Sequence, residues 1–333
     1  MTSAKSADSQ NQNLDQILKD KMPALGIDLG GTKIGCAPVA DFRVIGEPKK
    51  VPTPKGAENI INALVDLIED VRKDHILRGV GIATAGIVDT ETGEVIGSTG
   101  NLPGWAGTPI KKEIESRTGL PVHVDNDANA AAYGEVKALG LSDKTCVVAV
   151  TLGTGIGGGI IMKGNLYRGA HYAAGEIGHL RANLNNHRLC TCGLFDCWES
   201  YGSGRGFRAT AKELLTNVTV DQTPLAALLP DPQVDKVCAA AQEGDIIAKR
   251  IVDTWHEHVC AGIVTLAHTL DPDCFIISGG MAKFVDYDFL KELVIDKCMP
   301  RVGERLDIHR SSLGDDAGII GAAQIALDNL VSG

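Results

Sequence analysis

The sequence predicts an α/β protein built from two related domains, and three features carry that expectation. Apolar runs of strand length alternate with segments of helical periodicity. Glycines cluster in short runs at the ends of apolar stretches. The opening of the chain also recurs further on: GIDLGGTKIG lies over AVTLGTGIGG as strand, Leu-Gly, small-residue turn, strand, with Leu29-Gly30 matching Leu152-Gly153. At 333 residues the chain can bury two cores of ordinary size, so two facing domains with a cleft are expected.

In chain order, a polar segment over 1–22 is expected to be frayed. ALGIDLGGTKIGCAPVA then reads as two strands joined by a Gly-Gly turn. ENIINALVDLIEDVRKDH places Ile60, Ile61, Leu64, Leu67, Ile68 and Val71 on one helical stripe, and LRGVGIATAG returns to a buried strand. VDTETGEVIGSTGNLPGWAGTP reads as turn-rich, PIKKEIESRTG as a helix and LPVHVDND as a short strand. The strand–turn–strand pattern restarts at Thr145, helices dominate the C-terminal half, and DCFIISGGMAKF is a buried strand turning through Gly279-Gly280 into a helix. The expected domains are a small one over 23–125 and a large one over 126–314, with a final helix at 315–331 packing back on the small domain.

Composition narrows the function classes. The composition is globular, at 44% hydrophobic and 22% charged, and a net charge of −10 argues against a nucleic-acid or anionic membrane partner. No apolar run reaches the length of a membrane span and no secretory core opens the chain, so the expected location is the cytosol. Of 9 cysteines, Cys36, Cys146, Cys238, Cys260, Cys274 and Cys298 fall in apolar segments as reduced core thiols, whereas Cys190, Cys192 and Cys197 cluster.

The glycine turns carry the first chemistry. A strand ending in small residues bares backbone N–H groups, as a close phosphate requires, although a plain tight turn gives the same pattern. In DLGGTK, Asp28 beside a phosphate is unfavourable unless it holds Mg2+ directly or through water, and Thr32 adds a hydroxyl donor. LGTGIGGG contains G-x-G-x-x-G at Gly153, Gly155 and Gly158, but IIMKGNLYRG after it lacks helical periodicity, so it reads as a phosphate-binding hairpin and not a dinucleotide fingerprint. No G-x-x-x-x-G-K-[ST] occurs, which excludes a P-loop.

In VDNDANAAAYGEV a strand ends at Asn126-Asp127 and an alanine-rich helix begins, so Asp127 stands at or beside an N-cap. Capping alone explains an isolated Asp there; its neighbours make a general base the sharper reading. In GEIGHLRANLNNHRLCTCGLFDCWES, His179, Cys190, Cys192 and Cys197 supply the four ligands of a closed, structural Zn2+ site. Zinc would pin the loop over 176–199 and bring together Glu176 and Glu199, whose carboxylates can accept hydrogen bonds from sugar hydroxyls.

DLGGTK, LGTGIGGG, NDANAAA, GEIGH and C-x-C-G…C-x-E together resemble the ROK family, from about Leu25 to the C-terminus. The resemblance implies the actin-like ATPase and sugar kinase fold, a ribonuclease H-like duplication with an interdomain cleft. It implies ATP with Mg2+ as phosphoryl donor, with polyphosphate as the alternative, and a hexose acceptor. Glucose is favoured; mannose, fructose and N-acetylmannosamine are the alternatives, and a homodimer or homotetramer is the expected assembly. Phosphate contacts would fall on Asp28, Gly30, Gly31, Thr32, Lys33, Gly153, Thr154, Gly155, Gly279 and Gly280, and Asp127 would be the base. Sugar contacts would fall on Asn101, Asn126, Asp127, Glu176, His179 and Glu199, with His179 serving zinc and sugar together. The family pattern has Gly where this chain has Asp196, which tolerates a left-handed turn, while Trp198 is expected to bear on pocket shape. Family regulators carry a helix-turn-helix domain before the kinase-like body, for which the stretch before the first strand is expected to be too short, and the chain as a whole is acidic.

Overall fold

The structure, a computed structural model, describes residues 22–97 and 102–332. The segment expected to be frayed lies, apart from Met22, outside the described residues, as does the sugar candidate Asn101. The chain divides into two compact units, one running to Ala138 and taking in the stretch from Asp315, the other Leu139–Gly314.

In the first unit, β1 (Ala24–Leu29) pairs antiparallel with β2 (Lys33–Ala40), and the edge strands β3 (Arg43–Val44) and β4 (Lys49–Pro52) both pair with β2. α1 (Ala57–Val71) buries the whole stripe expected of it. β5 (Val80–Thr84) then joins β1 in parallel. The segment read as turn-rich contains a small hairpin, β6 (Ile87–Asp89) with β7 (Glu94–Gly97), and Trp105 beyond it is fully buried, its Nε1 donating to Thr84 Oγ1 at 2.9 Å. α2 (Ile110–Thr118) leads to β8 (Val122–Asn126), the parallel neighbour of β5, and β8 runs directly into α3 (Asp127–Ala138).

The register aligns Leu29, Thr84 and Asn126 across the carboxyl ends of β1, β5 and β8, the edge at which open α/β sheets place ligands. Side chains of β1 alternate: Leu25, Ile27 and Leu29 enter the core shared with α1, while Gly26 faces the other side.

The expected boundary at 125/126 moves to 138/139, so Asp127 sits in the first unit and not at the head of the second. The cause is backbone contact. A Cβ on Gly321 would lie 1.7 Å from the Ala130 carbonyl oxygen, and one on Gly134 3.0 Å from that of Ala317. α3 is therefore locked against the C-terminal helix, which shares its unit.

The second unit repeats the plan. β9 (Cys146–Leu152) pairs antiparallel with β10 (Ile156–Met162), which carries the short β11 (Asn165–Leu166). Helices α4 (Glu199–Gly202), α5 (Gly204–Leu215), α6 (Val234–Gln242) and α7 (Ile246–Leu270) follow. β12 (Cys274–Ser278) then pairs in parallel with β9; after α8 (Tyr287–Lys297), β13 (Asp307–Arg310) extends the sheet. The order β10-β9-β12-β13 reproduces β2-β1-β5-β8. After Gly280 only a 3-10 turn, Ala282–Phe284, forms in place of the expected helix, and Asp286 caps α8 by accepting from Phe289 N at 3.1 Å.

The last helix, α9 (Ala317–Ser332), lies on β1 and β5 of the first unit at backbone contact. A Cβ on Gly26 would fall 1.9 Å from the Ile319 carbonyl oxygen and one on Gly81 1.8 Å from that of Ala322. Gly35 in β2 meets only the Ile319 Cδ1 methyl at 3.5 Å. Gly81→Ala is therefore expected to destabilise by roughly 1–3 kcal/mol or more through overpacking. Gly35→Ala, which removes unfolded-chain freedom at ordinary contact distance, is expected to be neutral or to stabilise by up to about 1 kcal/mol. Chemical denaturation of the two variants reads the contrast; equal effects would remove the close helix–sheet approach as the constraint.

Candidate active site

In the first unit, the β1–β2 turn leaves Gly31, Thr32 and Lys33 exposed. Gly30 N donates to Lys33 O at 3.0 Å and Thr53 Oγ1 clamps the Gly30 carbonyl at 2.7 Å, so the loop is fixed from behind. Asp28, one residue inside the strand end, is partly accessible, and burial raises its pKa to about 6, with the Asp127 charge adding to the rise and Lys33 opposing it. A carboxylate so raised is short of positive charge, which is what a bound divalent cation supplies.

The N-cap of α3 is Asn126, not Asp127. Asn126 Oδ1 accepts from Ala128 N at 2.9 Å and Asn129 N at 3.1 Å, while its Nδ2 donates to the Gly86 carbonyl at 3.0 Å. Asp125, buried beside it, accepts from Asn126 N at 2.8 Å and Asn129 Nδ2 at 3.2 Å, a support that the sequence did not signal. Relieved of capping, Asp127 keeps a partly accessible carboxylate at the positive end of the helix. Burial raises its pKa; hydrogen bonds, led by that from Ala128 N, hold it back.

In the second unit, the turn at 153–155 is held at several points. Gly204 N donates to Gly153 O at 2.8 Å, Arg205 Nε to Thr154 O at 3.2 Å, and Ile156 N to Glu199 Oε2 at 2.9 Å. Among the described residues, the N–H groups of Thr154 and Gly155 have no acceptor. Gly279, at φ 86, passes so near that a Cβ would meet Leu152 O at 2.4 Å, and only glycine fits there. Gly153, Thr154 and Gly280 thereby line one open cavity of about 580 Å3, together with Arg208, Lys283 and Phe284. Its size and its cations suit a phosphate-bearing ligand; Arg208 and Lys283 carried no sequence signal.

The Cys/His cluster forms as expected. Ligand atoms of His179, Cys190, Cys192 and Cys197 lie within 4.8 Å of one another, with Cys192 and Cys197 Sγ 3.7 Å apart. Metal–sulfur bonds of ~2.3 Å at tetrahedral angles require sulfurs about 3.8 Å apart, so the cluster fits a four-coordinate metal. His179 turns Nδ1 to Cys190 Sγ at 3.7 Å and Nε2 to Glu176 at 3.8 Å.

Asp196 adopts φ 60 and is fully buried, its Oδ1 accepting from Arg188 N, His187 N and Tyr201 Oη at 2.9, 3.0 and 2.7 Å. It does more than replace a glycine, since it ties the loop together. Trp198 turns into the core. It is fully buried, Nε1 donates to the His258 carbonyl at 2.8 Å, and its indole occupies the place a Cβ on Gly262 of α7 would take, 2.0 Å away.

Two α/β units that repeat one strand order, each with a glycine corner after its first strand, have the actin-like ATPase and sugar kinase fold. The ROK family matches residues 24–329, and the chain belongs to that family. A glucokinase from Streptomyces coelicolor is 37% identical over 319 residues, 91% of this chain and 96% of its own. Two crystal structures are similar. One is a ROK family glucokinase from Streptomyces griseus in complex with glucose and AMPPNP, 34% identical, TM-score 0.74, covering 91% of this chain and 98% of its own. The other is a ROK hexokinase from Thermus thermophilus, 30% identical, TM-score 0.77, covering 94% and 100%.

The charge on Asp28 costs stability. Its pKa in the folded state, about 6 against 3.8, means the folded protein holds this proton more tightly than the unfolded chain, so ionisation opposes folding above pH 6. Asp28→Asn is expected to stabilise the ligand-free protein at pH 8, by at most about 3 kcal/mol and less where solvent screens the group. The gain fades as pH falls through 6 towards 3.8. Thermal unfolding across that range reads it; a gain independent of pH would remove the charge as its cause.

Proposed function

We propose that the protein is an ATP-dependent hexose kinase that phosphorylates the 6-hydroxyl of glucose. The observation that carries this reading is a pair of carboxylates on one sheet edge, Asp28 beside a phosphate-type turn and Asp127 at a helix N-terminus, both raised in pKa by burial, with the charge of Asp127 adding to the rise at Asp28. The near full-length similarity to bacterial glucokinases supports it.

In this reading Asp127 accepts the proton of the attacking hydroxyl as the bond from its oxygen to the γ-phosphorus forms and the bond from that phosphorus to the bridging oxygen breaks, releasing ADP; its raised pKa makes it a better base than a free carboxylate. Amides of the turns at 30–33 and 153–155, with Gly279 and Gly280, hold the phosphates. Bound Mg2+ would neutralise charge on the polyphosphate, and Asp28 would hold it directly or through water. Asn101, Asn126, Glu176, His179 and Glu199 orient the hexose, and a Zn2+ in the cluster of His179, Cys190, Cys192 and Cys197 would fix the loop that carries three of them. Free cysteines throughout support a cytosolic setting.

Asp127→Asn is expected to lower kcat by about 10²–10⁴-fold, the usual worth of a positioned base. Glucose affinity by calorimetry should change little. A coupled ADP-release assay over glucose, mannose, fructose and N-acetylmannosamine reads both turnover and preference, and near-normal turnover of the variant would remove Asp127 from the mechanism. With Asp127 needed as the anion, activity should fall on the acid side at a pH above the ordinary aspartate value of 3.8. A kcat profile flat down to that value would contradict the raised base.

A further inference from the structure

Arg205, the second residue of α5, reaches three separate places. Nε donates to the Thr154 carbonyl at 3.2 Å, while one terminal nitrogen donates to Thr191 Oγ1 at 3.3 Å and to Glu199 Oε1 at 2.5 Å. Thr191 lies between the ligands Cys190 and Cys192, and its hydroxyl also donates to Glu199 Oε1 at 3.0 Å. The other Glu199 oxygen holds Ile156 N, and the carboxylate fills the room beside Gly155, where a Cβ would lie 2.2 Å from Oε2. Two side chains thus fasten the turn at 153–155 to the Cys/His loop.

We infer that Arg205 is a positioning residue that couples the Cys/His loop to the phosphate turn, so that metal occupancy sets the affinity for the nucleotide. The inference rests on reading 153–155 as a phosphate turn. A closed metal site holds Cys190 and Cys192, and with them Thr191; Thr191 and Arg205 then hold the Glu199 carboxylate against Gly155. Glu199 and Arg205 in turn fix Ile156 N and the Thr154 carbonyl, leaving the Thr154 and Gly155 amides turned to an incoming polyanion. With the metal removed, Thr191 loses its anchor and the turn loses preorganisation, which lowers affinity with no contact between metal and nucleotide. Only a guanidinium serves three acceptors in one plane; a lysine ammonium keeps the charge beside Glu199 and loses the fork.

The test measures AMPPNP binding by calorimetry for the zinc-loaded protein and after chelation, in wild type, Arg205→Lys and the isosteric Thr191→Val, with circular dichroism confirming folding and a chromogenic chelator confirming zinc content. Chelation is expected to weaken AMPPNP binding by about tenfold in wild type, within the usual range of coupling between sites. In both variants AMPPNP should bind about tenfold more weakly from the start, with normal zinc content, and chelation should then change the affinity by less than about twofold. Either variant alone carries the test if the other does not fold. Equal weakening by chelation in wild type and variants, or a wild-type affinity indifferent to zinc, overturns the coupling. A folded, zinc-loaded wild type that binds no AMPPNP overturns instead the reading of the turn itself.

Discussion

Close approach of backbone to backbone, permitted by missing side chains, is the constraint on which the first unit depends. α9 touches the sheet through Gly26 and Gly81 and touches α3 through Gly321 and Gly134, so one helix fixes both the strands that end in the phosphate-type turn and the helix that begins at Asp127. A single added methyl would have to push a carbonyl aside. The positions of Asp28 and Asp127 therefore follow from the glycines and alanines at which α9 meets the sheet and α3, on a rigid sheet edge instead of a loop, which suits groups whose chemistry tolerates little misplacement.

That rigidity is set against an electrostatic cost. Asp28 and Asp127 lie at one edge with their charges opposed by burial, and the charge of Asp127 adds to the rise at Asp28. Strongly perturbed carboxylates of this kind are a mark of functional sites, because a fold optimised for stability alone would hold neutral groups there. Elsewhere a carboxylate is paired, as Glu213 is with Arg188; here Lys33 opposes the rise at Asp28, and hydrogen bonds led by that from Ala128 N oppose it at Asp127.

Much of this was legible in the sequence, and the parts that were not share a physical reason. Glycine turns at strand ends, the α1 stripe and the duplication are local patterns, so they read directly, and the Cys/His cluster was legible because ligand type and spacing carry the chemistry. The domain boundary was misplaced at 125/126 since it depends on how Gly321 meets Ala130, a contact between distant segments. The β6–β7 hairpin hid in polar turn residues, and α6 and β13 showed no periodicity strong enough to read. Arg205 was invisible for the same reason: nothing in SYGSGRGF indicates that its guanidinium meets Thr154 and Thr191.

The departures around the last cysteine show how a loop acquires a second purpose. Asp196 takes the left-handed backbone that a glycine would take and adds a buried carboxylate that gathers three donors, while Trp198 drops out of the loop into the core and rests on Gly262. Arg188 completes the anchoring by pairing with Glu213 of α5 across the ring of Tyr201, 4.4 Å from its centroid. Anchored at both ends in the second unit, the loop is not a loose flap stiffened only by a metal. A metal need fix only the short stretch between Cys190 and Cys197, and that stretch includes the threonine through which Arg205 and Glu199 reach the turn. Local ordering of a few residues is then enough to change the preorganisation of a site several side chains away.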